Sequence, residues 1–319
     1  MLRCGRDRTA TKEKLMDQPS LPPPCKSGDR VAIIAPAGPF QEKWLFEGCE
    51  RLRSWGLEPI YEKELFSTWG YLAGSDAHRL ESLHKAFRDD NVKAILCARG
   101  GYGTFRLLDG LDLPLLQQHA KRFLGFSDIT MLHQVFAQQC GFIGFHSPMA
   151  ASQHFIEGSP TSVERVKQAL FADDLATIFS PIQGDVLQQG PRATGRLVGG
   201  NLSLLAASVG TPWQVDTQDA ILFVEEVAEP PYRIDRMWQQ LRYAGLLKPL
   251  RGIVFGDFGP LRDRYTTYTE EEFWLNRIGM PEGIPVLHKM PFGHIRDNAT
   301  LPVGASVTID AETATLHAA

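Results

Sequence analysis

The stretch RFLGFSDITMLHQVFAQQC (residues 122–140) passes from a short apolar run into an amphipathic segment. The run RFLGF (122–126) has the length of a buried strand, and DITMLHQVFAQQC (128–140) is typical of a helix. A serine at such a junction, here Ser127, can present its hydroxyl at a sheet edge beside the next backbone N–H. Serine is also a common helix N-cap, and Ile129 replaces the last glycine of a GxSxG motif. This stretch alone leaves both roles of Ser127 open.

Short apolar runs alternate with amphipathic segments on both sides of this stretch. The strand candidates are RVAIIAP (30–36), EPIYE (58–62), KAILCAR (93–99) and FIGFHS (142–147), and the helix candidates are 40–56 and 75–90. Such alternation predicts an α/β fold in which helices cover both faces of a parallel sheet. Ligands of these sheets bind beyond the carboxyl ends of the strands. The residues after each apolar run are therefore the candidates for a site.

The C-terminal part of the chain predicts a second, smaller α/β domain. Its strand candidates are 220–226, 251–258, 285–290 and 305–318, and its clearest helix pattern is 234–247. We expect a flexible tail, a first domain, a linker and a second domain, with boundaries at 1–27, 28–171, 172–191 and 192–319. The tail lacks an apolar core segment, so we expect no secretory signal.

Composition excludes several classes of function. The chain has 319 residues and a formal net charge of −4, whereas a nucleic-acid binder normally carries a basic field. Its five cysteines form no CxxC pair, which fits a reducing compartment and favours neither a disulfide framework nor a thiolate metal site. No apolar run approaches the roughly 20 residues that span a bilayer. We expect a cytoplasmic protein without membrane or nucleic-acid partners.

A glycine-rich turn, Arg99-Gly-Gly-Tyr-Gly103, follows the strand candidate at 93–99. Glycines in this position let backbone N–H groups approach an anion closely, as in a phosphate nest or an oxyanion hole. A tight turn that requires a positive φ would select the same residues. The turn matches neither GxGxxG nor the Walker motif, so we expect no nucleotide cofactor.

Acidic residues and a histidine follow two strands of the second region. Glu225 and Glu226 end the run AILFVEE, and His294 lies in a loop beyond PVLHKM. A carboxylate can orient a histidine, and a loop histidine can act as a general base, although solvated strand ends and loops contain such residues too. His146, at the end of FIGFHS, is the competing histidine. No HExxH motif is present, so we expect no zinc hydrolase and no metal.

Seven segments taken in chain order resemble the motifs of the LD-carboxypeptidase family of serine peptidases. This family includes murein tetrapeptide carboxypeptidases and microcin-immunity carboxypeptidases. The segments are VAIIAPAGP, ILCARGGYGTFRLL, GFSDITMLH, GFHSPM, GRLVGGNLSLL, ILFVEEVAEPPYRIDRMWQQLR and PVLHKMPFGH. The resemblance runs from about residue 30 to the C-terminus and implies a Rossmann-like N-terminal domain, a C-terminal domain with a barrel-like β element, and a homodimer.

The resemblance also implies the roles of the site residues. Ser127 would be the nucleophile, Glu225 the acid and His294 the base of a catalytic triad. Glu226 stands where family members often have aspartate, and it remains the alternative acid. The oxyanion hole would consist of the backbone N–H groups of Gly101 and Asp128.

The implied reaction releases terminal D-Ala from a muropeptide by hydrolysis of its bond to the L-centre of diaminopimelate, without a cofactor. The residues available to bind the substrate, including its terminal carboxylate, are Arg99, Tyr102, Arg233 and Arg236. Two other functions remain open at this point. One is hydrolysis of a peptidyl-nucleotide antibiotic on the same scaffold, which a stacking aromatic in the cleft would favour. The other is a non-catalytic module that binds an anion at residues 100–103.

Overall fold

The computed structural model describes residues 18–262 and 267–319, which fold around two β-sheets. Their strands, in chain order, are β1 (Arg30–Ile34), β2 (Glu58–Ile60), β3 (Val92–Cys97), β4 (Arg122–Gly125), β5 (Gly144–His146), β6 (Ile182–Gln183), β7 (Asp185–Gln188), β8 (Ala193–Asn201), β9 (Ala220–Glu225), β10 (Gly252–Phe255), β11 (Val286–His288), β12 (Leu301–Val303), β13 (Ser306–Asp310) and β14 (Thr315–Ala318).

The helices lie between these strands. In chain order they are α1 (Glu42–Ser54), α2 (Asp76–Arg88), α3 (Leu113–Gln118), α4 (Thr130–Val135), α5 (Gln153–Ile156), α6 (Pro160–Phe171), α7 (Leu175–Ile178), α8 (Leu202–Ser208), α9 (Pro231–Tyr243) and α10 (Glu270–Glu272). Two of them continue as π-helical turns, α4 into Phe136–Cys140 and α10 into Phe273–Ile278. Short 3-10 helices occupy Lys63–Phe66, Thr104–Gly110 and Ser127–Ile129. Within the described residues, no helix has both the length and the apolar character needed to cross a bilayer.

The first sheet has the strand order β12-β5-β4-β3-β1-β2, and β1 to β5 all run parallel. The 2-1-3-4-5 order of these five strands is the flavodoxin-like variant of the doubly wound sheet. The prediction of a Rossmann-like parallel sheet is thus confirmed in this form. In this order the chain changes direction across the sheet between β1 and β3, and ligands bind beyond the carboxyl ends of the strands at that point.

Side chains of β1 alternate between two apolar clusters, one on each face of the first sheet. Val31 and Ile33 pack in the cluster that contains Leu52 of α1. Ile34 packs in the cluster that contains Leu83 of α2 on the opposite face. Burial on both faces explains why the strand reads as a continuous apolar run in the sequence.

The second sheet has the order β6-β14-β13-β8-β9-β10-β11-β7. Its two edge strands, β6 and β7, follow one another in the chain with only Gly184 between them, so the sheet must curl until its edges approach. Phe223 and Phe292 pack in the interior of the curl, and Trp238 of α9 covers its outer face. The sheet is barrel-like as expected, but among the described residues no ladder joins β6 to β7 and the barrel is not closed.

Three predicted boundaries differ from the structure. Residues 1–17 of the predicted flexible tail lie outside the described residues, and for 18–27 the prediction is wrong. Ser20 forms a β-bridge with Phe142. Cys25 is buried, and its N–H donates a hydrogen bond to the Leu170 carbonyl at 2.7 Å. Apolar side chains in this segment pack in the apolar cluster that contains Leu52 of α1.

The predicted linker at 172–191 contains α7, β6 and β7, so this prediction is wrong as well. These two strands form the edges of the second sheet, where alternating exposure makes their sequence look polar. The sequence also places 192–319 in one domain, yet β12 pairs antiparallel with β5 at the edge of the first sheet. The C-terminal part of the chain therefore contributes strands to both sheets.

The end of β8 joins the second sheet to the first. Gln134 of α4 donates a hydrogen bond to the Gly199 carbonyl at 2.6 Å, and the Asn201 N–H donates to the Thr130 hydroxyl at 3.0 Å. Gly199 and Gly200 have φ values of 134° and 140°, and a Cβ on Gly200 would lie 2.4 Å from the Thr130 hydroxyl oxygen. Only glycine permits this backbone conformation and this contact.

Replacing Gly199 by alanine should destabilise the protein strongly, because the new Cβ would lie 1.9 Å from the carbonyl oxygen of Phe223. We expect a loss of about 3 kcal/mol or more in the free energy of unfolding. Gly210 is the matched control, since its φ is 80° but a Cβ added there would have no other atom within 4 Å. Gly210→Ala should therefore cost only about 1–2 kcal/mol. Urea unfolding would measure both, and equal losses would contradict the role of Gly199.

Candidate active site

Ser127 lies directly beyond β4, at the turn into α4. It has a φ of 64°, in the left-handed region that residues other than glycine rarely adopt. Gly125, two residues earlier, allows a tight approach, because a Cβ there would lie 3.1 Å from the Cys97 sulfur. Strained conformations of this kind cost about 1–3 kcal/mol and cluster at functional sites. An N-cap does not require a positive φ, since caps have extended backbone conformations.

The predicted glycine turn lies against Ser127. A Cβ on Gly100 would lie 3.0 Å from the Ser127 Cβ, so the close approach requires glycine. Gly101 has a φ of 109°, and the Gly38 N–H donates to the Gly100 carbonyl at 3.0 Å. The turn therefore has the positive φ that its sequence predicts, and its backbone lies in close contact with Ser127.

Two buried charged side chains hold this turn in place. The Asp128 carboxylate accepts the Thr104 N–H at 2.8 Å. Arg79 of α2 donates to the Gly103 carbonyl at 2.9 Å and to the Pro36 carbonyl beyond β1. Burial raises the pKa of the Asp128 carboxyl, and the hydrogen bonds from the turn oppose that effect. Arg79 is not predicted from the sequence, because nothing distinguishes it there from the other charged residues of its helix.

His294 joins Ser127 to Glu225 across the two sheets. Its Nε2 lies 3.2 Å from the Ser127 hydroxyl oxygen, and its Nδ1 lies 2.7 Å from Oε2 of Glu225. With a proton on Nδ1, the ring donates to the carboxylate, and Nε2 accepts the serine O–H. The three residues predicted from dispersed segments therefore form one hydrogen-bonded chain.

The loop that carries His294 is fixed against the ends of β9 and β10. Gly293 has a φ of 112°, and a Cβ there would lie 3.1 Å from the Glu225 Cβ. Its N–H donates to the side chain of buried Asn298 at 3.0 Å, and the Asp257 N–H donates to the Phe292 carbonyl at 2.9 Å. These contacts hold the imidazole directly over the Glu225 carboxylate.

The electrostatics of the site raise the proton affinity of the imidazole. Glu225 is 0% exposed, and His294 is its hydrogen-bond partner. Burial by itself would lower the pKa of His294, but the hydrogen bond and charge of Glu225, with the charges of Glu226 and Asp257, outweigh burial and raise it. A proton taken up by His294 is therefore stabilised within the site.

Glu226 has a different set of partners. Its carboxylate accepts hydrogen bonds from the Asn201 side chain at 2.9 Å, from the Ser203 N–H at 2.8 Å and hydroxyl at 2.6 Å, and from the Val227 N–H at 2.9 Å. It thus binds the start of α8. Of the two candidate acids, Glu225 is the one in contact with His294.

The other predicted residues occupy separate places. Arg99 and Tyr102 line a cavity of about 590 Å³ next to Gly101, and Arg99 donates to the Pro39 carbonyl at 2.6 Å. Arg233 pairs with Glu229 at 3.2 Å, and Arg236 lies over the ring of Tyr232 at 5.5 Å. Neither of these two arginines contacts the Ser127–His294–Glu225 chain.

His146, the competing histidine, lies in the protein core. It is 0% exposed between the rings of Phe126 and Phe223, at centroid distances of 5.5 and 5.2 Å. Burial holds its pKa far below the ordinary histidine value. The residue therefore has no access to a substrate beside Ser127.

A second cavity, of about 550 Å³, borders His294 on its other side. It is lined by Gln153, His154, Glu157, His294 and Arg296. Neither His154 nor Arg296 is predicted as a site residue from the sequence, although Arg296 lies only two residues after His294. Within the described residues, no group of three or more His, Cys, Asp or Glu side chains has the arrangement of a metal site.

We expect the His294 imidazole to titrate above the ordinary histidine pKa, and Glu225→Gln to lower that pKa, because the amide carries no charge. Glu226→Gln should lower it less, since the hydrogen bond between His294 and Glu225 remains. Nitrogen-15 NMR of the histidine rings would follow both changes without an activity assay. Equal shifts in the two variants would contradict the special position of Glu225.

Comparison with known proteins connects this geometry to a family. Residues 31–147 match the LD-carboxypeptidase N-terminal domain, and residues 194–309 match the LD-carboxypeptidase C-terminal domain. The probable murein peptide carboxypeptidase of Bacillus subtilis is 37% identical over 292 residues, which cover 91% of each chain.

Two solved structures share the fold over most of their length. The muramoyltetrapeptide carboxypeptidase of Oxalobacter formigenes has a TM-score of 0.79 and 31% identity, covering 90% of this chain and 97% of that one. An MccF-like protein of Bacillus anthracis has a TM-score of 0.82 and 26% identity, covering 93% and 98%. On the domain matches and these relatives, the chain belongs to the LD-carboxypeptidase family of peptidases.

Proposed function

We propose that this carboxypeptidase is a serine peptidase in which Ser127 is the nucleophile, His294 the general base and Glu225 the orienting acid. The observation that carries the proposal is the continuous hydrogen-bonded chain from the Ser127 hydroxyl through His294 to buried Glu225. The left-handed backbone of Ser127 adds support, because strained nucleophiles at strand-to-helix turns present their hydroxyl to a substrate.

In this mechanism His294 Nε2 takes the Ser127 proton while the serine oxygen attacks the carbonyl carbon of the terminal peptide bond. The imidazolium then gives the proton to the leaving amine nitrogen, the C–N bond breaks, and an acyl-enzyme ester remains. A water molecule attacks the ester by the reverse proton path, which regenerates Ser127. Glu225 holds the tautomer and stabilises the imidazolium, consistent with the raised pKa of His294.

The oxyanion of each tetrahedral intermediate would receive hydrogen bonds from the backbone N–H groups of Gly101 and Asp128. The close contact of the glycine turn with Ser127 supports this role, as does the left-handed turn that brings the next residue back toward the hydroxyl. Loss of one such donor typically costs about 2.7–4 kcal/mol of transition-state stabilisation. The anchors Arg79 and Asp128 would keep the donors aimed before the substrate arrives.

We propose that the substrate is a murein tetrapeptide and that the bond broken joins the L-centre of diaminopimelate to the terminal D-Ala. The names of the similar Bacillus subtilis and Oxalobacter formigenes proteins support this substrate class. The cavities on the two sides of the catalytic chain leave room for a peptide on one side and a terminal residue on the other.

A second candidate function, hydrolysis of a peptidyl-nucleotide, is favoured by one observation. Tyr71 and Tyr102 are exposed next to Gly101 in edge-to-face contact, with ring centroids 5.5 Å apart, and their outer faces could stack on a base. Trp238, by contrast, is a buried residue of α9, and Trp213 donates its ring N–H to Asp109 at 3.1 Å. The three triad residues form a continuous hydrogen-bonded chain, which argues against a non-catalytic anion-binding module.

We also propose that the enzyme works in the cytoplasm as a homodimer. The four cysteines within the described residues, Cys25, Cys49, Cys97 and Cys140, are free and buried, which suits a reducing compartment. The homodimer rests on the family resemblance.

Purified protein should release D-Ala from a murein tetrapeptide but no alanine from its all-L analogue. Ser127→Ala should lower the rate by roughly 10⁴-fold or more, because the nucleophile is lost. Ser54→Ala, on the exposed end of α1, is the matched control and should keep the wild-type rate. Chromatography of the released amino acid would measure all of these rates.

Other outcomes of this assay have clear meanings. Equal release by wild type and Ser127→Ala would exclude Ser127 as the nucleophile. Equal release from both tetrapeptides would exclude the proposed stereochemical preference. Turnover of a peptidyl-nucleotide, without turnover of the tetrapeptide, would replace the first candidate function by the second.

A further inference from the structure

We propose that Arg296 binds the free carboxylate of the departing terminal residue, in the cavity of about 550 Å³ that His294 borders. The inference rests on the proposed peptidase function and deepens it by assigning the group that makes the enzyme a carboxypeptidase. The arginines predicted for this task from the sequence are three others, and Arg296 is not among them.

The side of the site on which the departing residue lies follows from the proton path. His294 must give its proton to the leaving nitrogen, so the residue that carries this nitrogen lies next to the imidazole. The carbonyl oxygen of the same bond points to the glycine turn at Gly101, on the other side of Ser127. The cavity lined by His294 is thus on the leaving side, and the cavity beside Gly101, which His294 does not line, is left for the acyl side.

Arg296 has a suitable orientation for binding a carboxylate. Its Nε donates to the Glu157 carbonyl at 2.9 Å, which fixes the plane of the guanidinium. Within the described residues neither terminal nitrogen donates to a protein group, and the side chain is exposed and lines the cavity. A planar guanidinium held in this way binds a carboxylate with two parallel hydrogen bonds.

The competing arginines are less well placed. Arg99 lines the cavity on the acyl side and is bound to the Pro39 carbonyl at 2.6 Å. Arg233 is paired with Glu229, and Arg236 with the ring of Tyr232. Among the residues that line the leaving-side cavity, Arg296 is the one with a permanent positive charge.

The other titratable groups of the cavity add little positive charge to that of Arg296, which suits a small anion such as one carboxylate. Burial lowers the pKa of His154, whose ring packs 6.0 Å from that of His294, so His154 is charged less readily than an ordinary histidine. The Glu157 carboxylate accepts the Gln153 amide at 2.6 Å. Glu157 would repel a substrate carboxylate placed away from Arg296, which sharpens the selection of one binding position. Arg296 and Glu157 together would also suit the zwitterionic D-centre of diaminopimelate. The experiment below distinguishes that group from the terminal carboxylate.

The test compares three peptides by kcat/KM. They are the tetrapeptide that ends in diaminopimelate-D-Ala, the same peptide with a C-terminal D-alaninamide, and the tetrapeptide with lysine in place of diaminopimelate. The wild type should prefer the free carboxylate over the amide by roughly 10–100-fold, as expected for a charge-assisted bidentate contact. Arg296→Gln should abolish that preference by slowing cleavage of the free acid, and should leave the rate on the amide within about twofold. Its preference for diaminopimelate over lysine should not change.

Arg99→Gln is the comparison variant, because Arg99 lies on the acyl side. It should keep the preference for acid over amide, whatever its effect on the rates themselves. The proposal is overturned if Arg296→Gln keeps this preference, slows both substrates equally, or loses the preference for diaminopimelate instead. It is equally overturned if Arg99→Gln alone loses the preference for the acid. Failure of the wild type to cleave any of the peptides would instead refute the proposed function.

Discussion

The hydrogen bond between buried Glu225 and His294 imposes a demand that much of the surrounding structure meets. A carboxylate without solvent contact is costly to bury unless a cationic or strongly donating group faces it. Gly293 lies against the carboxylate with no side chain in between, so the imidazole can reach it. Glu226, the next residue, accepts hydrogen bonds from the start of α8 instead. Two adjacent buried acids therefore have separate partners, one in His294 and one in the backbone and side chains around α8.

In this member of the carboxypeptidase family, each of the two sheets contributes different residues to the candidate site. The glycine turn of the first sheet lies where the chain changes direction between β1 and β3, and Ser127 lies beyond the neighbouring strand β4. The second sheet carries Glu225 at the end of β9 and the His294 loop beyond β11. The hydrogen bonds from Gln134 to Gly199 and from Asn201 to Thr130 tie the two parts together next to the nucleophile.

Sequence patterns predicted the parallel sheet, because strands buried on both faces appear as continuous apolar runs. They also predicted Ser127, Glu225 and His294 as candidates, since each follows a strand. They could not predict β12, whose three residues pair with a strand about 150 positions earlier in the chain. Nor could they distinguish Arg296 from other exposed arginines, because its proposed role depends on a cavity lined by residues of α5 and of the His294 loop. The left-handed φ of Ser127 is a property of the folded turn and leaves no mark in residue types.

The placement of the proposed oxyanion-hole donors has a consequence for the mechanism. Gly101 follows β3, and Ser127 and Asp128 follow β4, so all three lie at one end of the first sheet, where Arg79 and Asp128 hold the glycine turn. A small displacement of the second sheet would lengthen the contact between His294 and Ser127, at 3.2 Å, without moving the nucleophile away from the oxyanion donors. In the proposed mechanism the proton path would therefore depend on how the two sheets are placed, whereas the oxyanion hole would not. A substrate that bridges both cavities would hold the two sheets at their working distance, so binding energy remote from the scissile bond would contribute to the rate of the chemical step.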